Sequence, residues 1–234
     1  MTVTDMPELA ALAQSADRFL GAVRALADDD VPRASALPGW TRAHLLTHVA
    51  RAADSRTGML RAARAGLTGE QYPSEQARTD AIEAGARRPV AIIRADVDHA
   101  VAECLTAMRR HPAGLWDAPA IWLRGGRRLV RGTVASLRSE LEYHHVDLAA
   151  GYAPDDWPAE FIAAELRRVT ALMDHRADAP PMTLIAAAAV RVGTAAPVDV
   201  TGPPAAILAW LAGRGDGSGL DAGAAGLPFL PPLA

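Results

Sequence analysis

The sequence predicts a mainly α fold, with an N-terminal four-helix bundle followed by a small C-terminal α+β domain. Two observations predict the bundle: long segments with helical apolar spacing fill the first half, and Pro- or Gly-containing stretches separate them. A third predicts the second domain, because the composition shifts toward Ala, Val, Pro and Gly near residue 153. We therefore expect two domains, residues 1–153 and 154–234.

The helices of the bundle are marked by their periodicity and by their ends. They are predicted over about residues 7–28, 41–65, 75–110 with a break near "RRPV", and 128–150. Thr41 is a suitable N-cap for the second of them, and Trp40 can pack back on that helix. The segment 111–130 is too irregular for a helix, so we expect a hairpin or a lid there.

The second domain mixes helical and strand-like segments. A helix is predicted near residues 158–175, strands in "MTLIAAAAVRV" (182–192) and "APVDVTG" (196–202), and a short helix in "PAAILAWLAGR" (204–214). A glycine-rich tail follows the last helix. This order of elements is typical of a small α+β unit.

Charge and composition exclude several classes of partner. The 24 basic and 27 acidic side chains leave a net charge of −3, which attracts neither nucleic acid nor an anionic membrane. No apolar run is long enough to span a bilayer, and the opening residues carry acids where a signal peptide is basic and apolar. We therefore expect a cytoplasmic protein.

The cysteine content limits the kind of metal site that the chain can build. Cys104 is the single cysteine, which excludes an internal disulfide and the multi-cysteine zinc ribbons and knuckles. Any bound metal must therefore be held by histidine and carboxylate ligands.

Two histidines lie one helical turn apart in "GWTRAHLLTHVARAAD", residues 39–54. On a helical projection one arc of this helix is apolar and predicts a buried face, formed by Leu45, Leu46, Val49, Ala52 and Ala53. His48 lies at the rim of that arc, whereas His44 falls further toward solvent. Of the two, His48 is therefore the better candidate for a site inside the bundle.

The helix predicted over 128–150 supplies two further candidate ligands. Glu140 and His144 are four residues apart, so their side chains meet on one helix face. That face borders an apolar arc formed by Val130, Val134, Leu137, Leu141 and Leu148. Together with His48, these two residues make a set of two histidines and one glutamate, which suits a catalytic zinc with an open fourth position.

Other residues in these helices remain alternatives. Glu142 and His145 would replace the chosen ligands if the helix were rotated, and His44 could replace His48 or hydrogen-bond nearby. Asp147 fits either an outer partner that orients an imidazole or a capping or solvent-facing role. The remaining histidines lie among charges or at element ends and are predicted to be solvated: His99, His111 and His175.

Four segments together make the chain resemble a known family: "GWT…HLLTHVARAADS", "YPSEQARTDAIEAGARR", "E…HHVDLAAGY" and "AAILAWLAGR". They are similar to the mycothiol-dependent maleylpyruvate isomerase family, within the DinB-like metal-binding bundle superfamily. The resemblance implies that a DinB-like bundle is followed by a small domain that closes the active-site cleft. It also implies that the zinc ligands are His48, Glu140 and His144.

The reaction implied by the resemblance is the cis–trans isomerisation of maleylpyruvate to fumarylpyruvate. A thiolate adds to the double bond, the bond rotates, and the thiolate leaves. The implied cofactors are zinc and mycothiol, a low-molecular-weight thiol. Cys104 is not assigned as the nucleophile, because it lies in an apolar helical run with no basic neighbour in sequence.

The two carboxylates of such a substrate call for cations. Arg56 and Arg78 are candidates for substrate binding, although an internal salt bridge would also explain Arg56. The resemblance implies a catalytic role for Arg214, which matches the family's C-terminal arginine. A helix dipole or solvation would also explain Arg78 and Arg214 as cations at helix ends.

We expect the protein to be a monomer. Three other functions compete with isomerisation. A thiol S-transferase that acts on another electrophile uses the same ligand set. A zinc-water hydrolase would need no thiol. A zinc-containing regulator that binds a sigma factor is disfavoured, because such modules usually cluster cysteines.

Overall fold

The computed structural model describes residues 7–186, 189–193 and 198–231. The chain divides into two compact units, Met1–Ala150 and Gly151–Ala234. Among the described residues, the first unit holds five α-helices and a three-stranded sheet, and the second holds two α-helices and another three-stranded sheet. The predicted mainly α fold class is confirmed.

The helices of the first unit pack around one apolar core. They are α1 (Pro7–Ala25), α2 (Arg42–Arg64), α3 (Glu75–Ala86), α4 (Val90–Arg109) and α5 (Gly132–Asp147). The predicted break at "RRPV" separates α3 from α4. Helix α2 contacts α3, α4 and α5, which makes it the central helix of the unit. Both predicted apolar arcs are buried, and each buried leucine contributes roughly 1.5–3 kcal/mol of hydrophobic stabilisation.

A hairpin precedes α5, so this helix begins at Gly132 and not near residue 128 as predicted. Strand β2 (Pro119–Trp122) pairs antiparallel with β3 (Gly126–Leu129), and β1 (Gly69–Glu70) pairs parallel with β2. Gly126 has a φ of 61°, a left-handed conformation that glycine adopts without strain. Of the two alternatives for this segment, the hairpin is confirmed.

The second unit is built from two helices and a mixed sheet. Its elements are α6 (Ala159–Asp174), β4 (Met182–Ile185), β5 (Ala189–Val192), β6 (Val198–Thr201) and α7 (Pro204–Leu211). Strand β4 is central, antiparallel to β5 and parallel to β6. The segment predicted as strand over 182–192 therefore forms two strands. Residues 187–188, and residues 196–197 of the other predicted strand, lie outside the described part of the chain.

The prediction that three histidines are solvated is correct for His99 and His175 and wrong for His111. His111 follows α4 and is completely buried, with its ring edge-on to Trp116 at a centroid distance of 4.7 Å. The segment that leads into the hairpin covers it, a contact that local sequence pattern does not reveal. Among the described helices, none combines the length and apolarity needed to cross a lipid bilayer.

Candidate metal centre

Three side chains from two helices converge inside the first unit. Nε2 of His48 on α2 lies 3.1 Å from Oε2 of Glu140 on α5, and Nε2 of His144 lies 3.2 Å from the same oxygen. One potential ligand atom from each residue lies within 4.8 Å of the other two. In a tetrahedral zinc site with bonds of about 2.1 Å, ligand atoms lie about 3.4 Å apart. The donor types and spacing therefore fit zinc.

The alternative ligands lie elsewhere. His44 caps α2: its Nδ1 is 2.7 Å from the hydroxyl of Thr41, the predicted N-cap, and accepts from the Thr41 backbone N–H. Glu142 is buried and accepts from Arg18 at 2.6 Å. His145 packs edge-on against Phe19. The three residues that meet are thus the ones predicted from the rim position of His48 and from the i, i+4 spacing of Glu140 and His144.

The electrostatics of the cluster favour the metal-binding forms of His48 and Glu140, whereas those of His144 favour its protonated form. Burial lowers the pKa of His48 to about 4, so its imidazole is neutral at neutral pH. Burial alone would raise the pKa of Glu140, but His48, His144 and Arg56 hold it well below its usual range. Burial would lower the pKa of His144, but hydrogen bonds to Asp147 and Glu140 raise it.

Asp147 has the first of its two predicted roles, that of an outer partner that orients an imidazole. Its Oδ2 accepts a hydrogen bond from Nδ1 of His144 at 2.8 Å, and its side chain is almost fully buried. This contact places a proton on Nδ1 of His144, so Nε2, which faces Glu140, is the nitrogen that can bind a metal once it has lost its own proton.

We expect Asp147→Ala to weaken zinc binding by about 10- to 100-fold, the usual effect of losing a carboxylate that orients a ligating histidine. Zinc affinity is measured by competition with a chelator. Asp98→Ala, which removes an exposed carboxylate from α4, serves as the control. An unchanged affinity in Asp147→Ala would mean that this contact does not orient a ligand.

Arg56 lies against the cluster but is turned inward. It is only 1% exposed, and it donates to Oε1 of Glu140 at 2.8 Å and to the hydroxyl of Ser136 at 2.6 Å. Its guanidinium also lies 5.9 Å from the ring centre of Trp122. This geometry favours holding Glu140 over direct contact with a substrate. Ser136 was not identified from the sequence, although it lies one helical turn before Glu140 on α5 and so shares its helix face.

Arg78 on α3 reaches the other side of the cluster. Its Nη2 lies 3.2 Å from Nδ1 of His48. Because a guanidinium only donates, Nδ1 of His48 accepts, and the proton of the neutral ring is on Nε2, directed at Glu140. Arg214 lies in the second unit just after α7, where its Nη1 donates to the Ala212 carbonyl at 2.7 Å.

Cys104 is an inert core residue. It is completely buried on α4, and burial raises the pKa of its thiol to about 11, so it carries no thiolate at neutral pH. We expect Cys104→Ala to leave turnover unchanged while it lowers the free energy of unfolding by about 1 kcal/mol. Steady-state kinetics and urea denaturation measure the two effects. Loss of turnover in a folded variant would show that the protein supplies its own nucleophile.

Comparison with known proteins bears on the same region of the chain. The family model described as "Mycothiol maleylpyruvate isomerase N-terminal domain" matches residues 12–149, which is more than half of the chain and includes all three clustered residues. The chain belongs to this family. The membership predicted from the sequence is therefore confirmed.

Two solved structures have a similar fold. One is the crystal structure of the mycothiol-dependent maleylpyruvate isomerase, and the other is that of a histidine-to-alanine mutant. Each is 23% identical to this member of the maleylpyruvate isomerase family, with a TM-score of 0.91 and 100% of both chains covered. No curated protein matches the chain. Arg214 lies outside the residues that the family model matches.

Proposed function

We propose that this protein is a zinc- and mycothiol-dependent isomerase that converts maleylpyruvate to fumarylpyruvate. The observation that carries the proposal is the meeting of His48, Glu140 and His144 inside the region that matches the isomerase family. Two imidazoles and one carboxylate leave a coordination position open, as catalytic zinc requires. A position of this kind suits the sulfur of a thiol.

In this proposal the three clustered residues hold the metal, and their neighbours prepare them for it. When bound, zinc would keep the thiol sulfur as the thiolate at neutral pH. Glu140 is ionised and His48 is neutral, so neither has to release a proton to solvent, and the His48 ring proton needs only to move from Nε2 to Nδ1. Asp147 holds the His144 ring in the tautomer that a metal needs.

The isomerisation needs a temporary single bond in the substrate. When the thiol adds, the cis double bond becomes a single bond, and the two halves of the substrate rotate about it. When the thiol leaves, the double bond re-forms in the trans configuration. The electron pair used for the new carbon–sulfur bond returns to sulfur at the end, so the thiol is not consumed. The chain's own residues must then hold the two substrate carboxylates while the bond turns.

We propose that Arg78 binds one of the two substrate carboxylates. It donates to Nδ1 of His48, and that contact depends on the ring proton being on Nε2. If Nε2 binds a metal, the ring proton moves to Nδ1, which then no longer accepts from Arg78. The guanidinium becomes available to an anionic substrate. Arg56 stays a weaker candidate for substrate binding, because its donors serve Glu140 and Ser136.

Arg214 is proposed as a catalytic cation, on the strength of the resemblance in "AAILAWLAGR". We expect Arg214→Ala to lower kcat/KM at least tenfold, since a charge-assisted hydrogen bond contributes about 1.5–3 kcal/mol. Arg176→Ala, which removes a partner of Asp178 in the same unit, is the matched control. Equal kinetics in the two variants would reduce Arg214 to a residue that stabilises the end of a helix.

The experiment that tests the function uses maleylpyruvate with the zinc-loaded protein, with and without mycothiol, and with the metal-stripped protein. Fumarylpyruvate should form only when zinc and thiol are both present. The alternative, a mycothiol-dependent S-transferase for another electrophile, predicts no fumarylpyruvate. Turnover without thiol would instead indicate zinc-water chemistry.

The domain boundaries, the oligomeric state, the location and the partners belong to the same proposal. We retain residues 1–153 and 154–234 as the two domains, and we retain a monomeric, cytoplasmic protein with no nucleic-acid or membrane partner. Its partners are then a small electrophile and a low-molecular-weight thiol. The net charge of −3 supports the absence of a nucleic-acid partner.

A further inference from the structure

Tyr72 lies in the short connection between β1 and α3, and its neighbours hold it firmly. The backbone N–H of Gln71 donates to the Ile121 carbonyl at 2.8 Å, and the Gln71 side chain accepts from the Leu123 N–H at 3.0 Å. On the other side, Pro73 restricts the backbone of Tyr72, and Ser74 caps α3. The tyrosine is therefore fixed to the hairpin strand at one end and to a helix start at the other.

The hydroxyl of Tyr72 is buried, and within the described part of the chain no group meets it with hydrogen-bond geometry. The neighbouring Ser55 hydroxyl gives its proton to the Ala52 carbonyl at 2.8 Å and accepts from Nη1 of Arg56 at 3.2 Å, so it has no proton left to donate to Tyr72. A buried hydroxyl without a partner costs about 1–3 kcal/mol, so its presence needs an explanation.

Contacts of its neighbour Ser55 connect the surroundings of Tyr72 to the metal centre: Ser55 accepts from Arg56, which in turn donates to Glu140. The charged groups that act on the Tyr72 phenol are Arg56, Glu140 and Arg78. Two of these three contact the candidate ligands, Arg56 through Glu140 and Arg78 through His48, and the third is itself a candidate ligand. An unsatisfied donor among these groups is placed to meet a bound substrate.

We propose that Tyr72 is a further catalytic residue, whose hydroxyl donates a hydrogen bond to the substrate carbonyl oxygen that becomes negative when the thiol adds. This inference rests on the proposed function. The thiolate forms a bond to the alkene carbon β to the ketone, the alkene pair becomes an enolate double bond, and the carbonyl pair moves to oxygen. Elimination reverses these shifts and returns the thiolate, so no proton or electron is left over.

Donation requires that Tyr72 keeps its own proton throughout the cycle. Burial raises the pKa of this phenol above its ordinary value, and Glu140 acts in the same direction against the two arginines. The hydroxyl is therefore a neutral donor across the physiological pH range. A donor directed at a developing oxyanion contributes about 100- to 1,000-fold to turnover in comparable sites.

The test compares Tyr72→Phe with Tyr152→Phe in zinc-loaded full-length protein with mycothiol. Tyr152 belongs to the other unit, where its hydroxyl donates to the Asp156 carbonyl at 3.1 Å. Tyr152→Phe therefore removes a phenol oxygen, as Tyr72→Phe does, but at a position distant in sequence from the metal centre. We expect Tyr72→Phe to lower kcat about 100-fold with little change in KM. Zinc content and melting temperature should not fall, because no hydrogen bond within the described residues is lost.

A binding measurement makes the result independent of turnover. Acetylpyruvate carries the dicarbonyl unit of the proposed substrate without the double bond, and its enolate resembles the charge distribution after thiol addition. Calorimetry should find it bound at least tenfold more tightly by the wild type than by Tyr72→Phe. Wild-type kcat together with wild-type affinity in Tyr72→Phe would overturn the assignment, as would no binding of acetylpyruvate by the wild type.

The two proposals can fail separately. If the wild type binds acetylpyruvate more tightly than Tyr72→Phe but does not isomerise maleylpyruvate, the isomerase function fails and Tyr72 stands as an oxyanion donor for a different carbonyl substrate. If the wild type isomerises maleylpyruvate and Tyr72→Phe matches it in kcat and in acetylpyruvate affinity, the function stands and the role of Tyr72 fails.

Discussion

Replacing His48, Glu140 or His144 with alanine is expected to abolish bound zinc and thiol-dependent turnover together. Each residue supplies one of three candidate ligand atoms within 4.8 Å of one another. Even the loss of an outer partner costs about 10- to 100-fold in affinity or activity, so the loss of a ligand should cost more than about 100-fold. Elemental analysis of protein purified without added metal should find about one zinc per wild-type chain.

The controls are the residues that the sequence left as alternatives. His44→Ala removes an imidazole one turn before His48 but affects only the cap of α2, and Glu142→Gln alters a carboxylate that faces Arg18. Both variants should keep their zinc. Full zinc occupancy in Glu140→Ala or His144→Ala would mean that a different face of α5 binds the metal.

Replacing Arg56 with methionine is expected to destabilise the metal-free protein by about 3 kcal/mol, the lower end of the range for breaking a buried ion pair. We take the lower end because the Glu140 side chain is 23% exposed, whereas that of Arg56 is 2% exposed. The variant leaves the carboxylate of Glu140 without its guanidinium partner. Urea denaturation of the metal-free wild type and variant measures the difference.

Zinc gives this prediction a second readout, because a metal cation at Glu140 supplies the positive charge that Arg56→Met removes. Saturating zinc should therefore stabilise the variant more than the wild type. Arg24→Met is the control, since its ion pair with Asp98 is exposed on both sides and contributes less than about 1 kcal/mol. Equal stability of Arg56→Met and wild type without metal would contradict the coupling between Arg56 and Glu140.

The part of the site that lies on single helices could be predicted from the sequence. Helical periodicity identified the buried arc of α2 and hence the rim position of His48. The i, i+4 spacing of Glu140 and His144, and the i, i+3 spacing of His144 and Asp147, follow from helix geometry alone. These residues meet in the structure as their spacing predicts.

Contacts between elements could not be predicted in the same way. Arg78 and His48 are thirty residues apart in sequence, and Tyr72 comes near Glu140 only through the pairing of its connection with β2. The start of α5 was misplaced because a basic, apolar segment such as "RRLV" suits a strand or a helix, and its pairing with β2 decides between them. His111 is covered in the same manner by the segment leading into the hairpin.

The most direct test of the proposed chemistry measures free thiol and substrate in the same reaction. Loss of maleylpyruvate and the concentration of free mycothiol are followed together, with metal-stripped protein as the control. Addition, rotation and elimination return the thiol, so we predict complete conversion to fumarylpyruvate with the thiol undiminished and no conversion without zinc. Loss of one thiol for each substrate consumed would contradict isomerisation and identify an S-transferase.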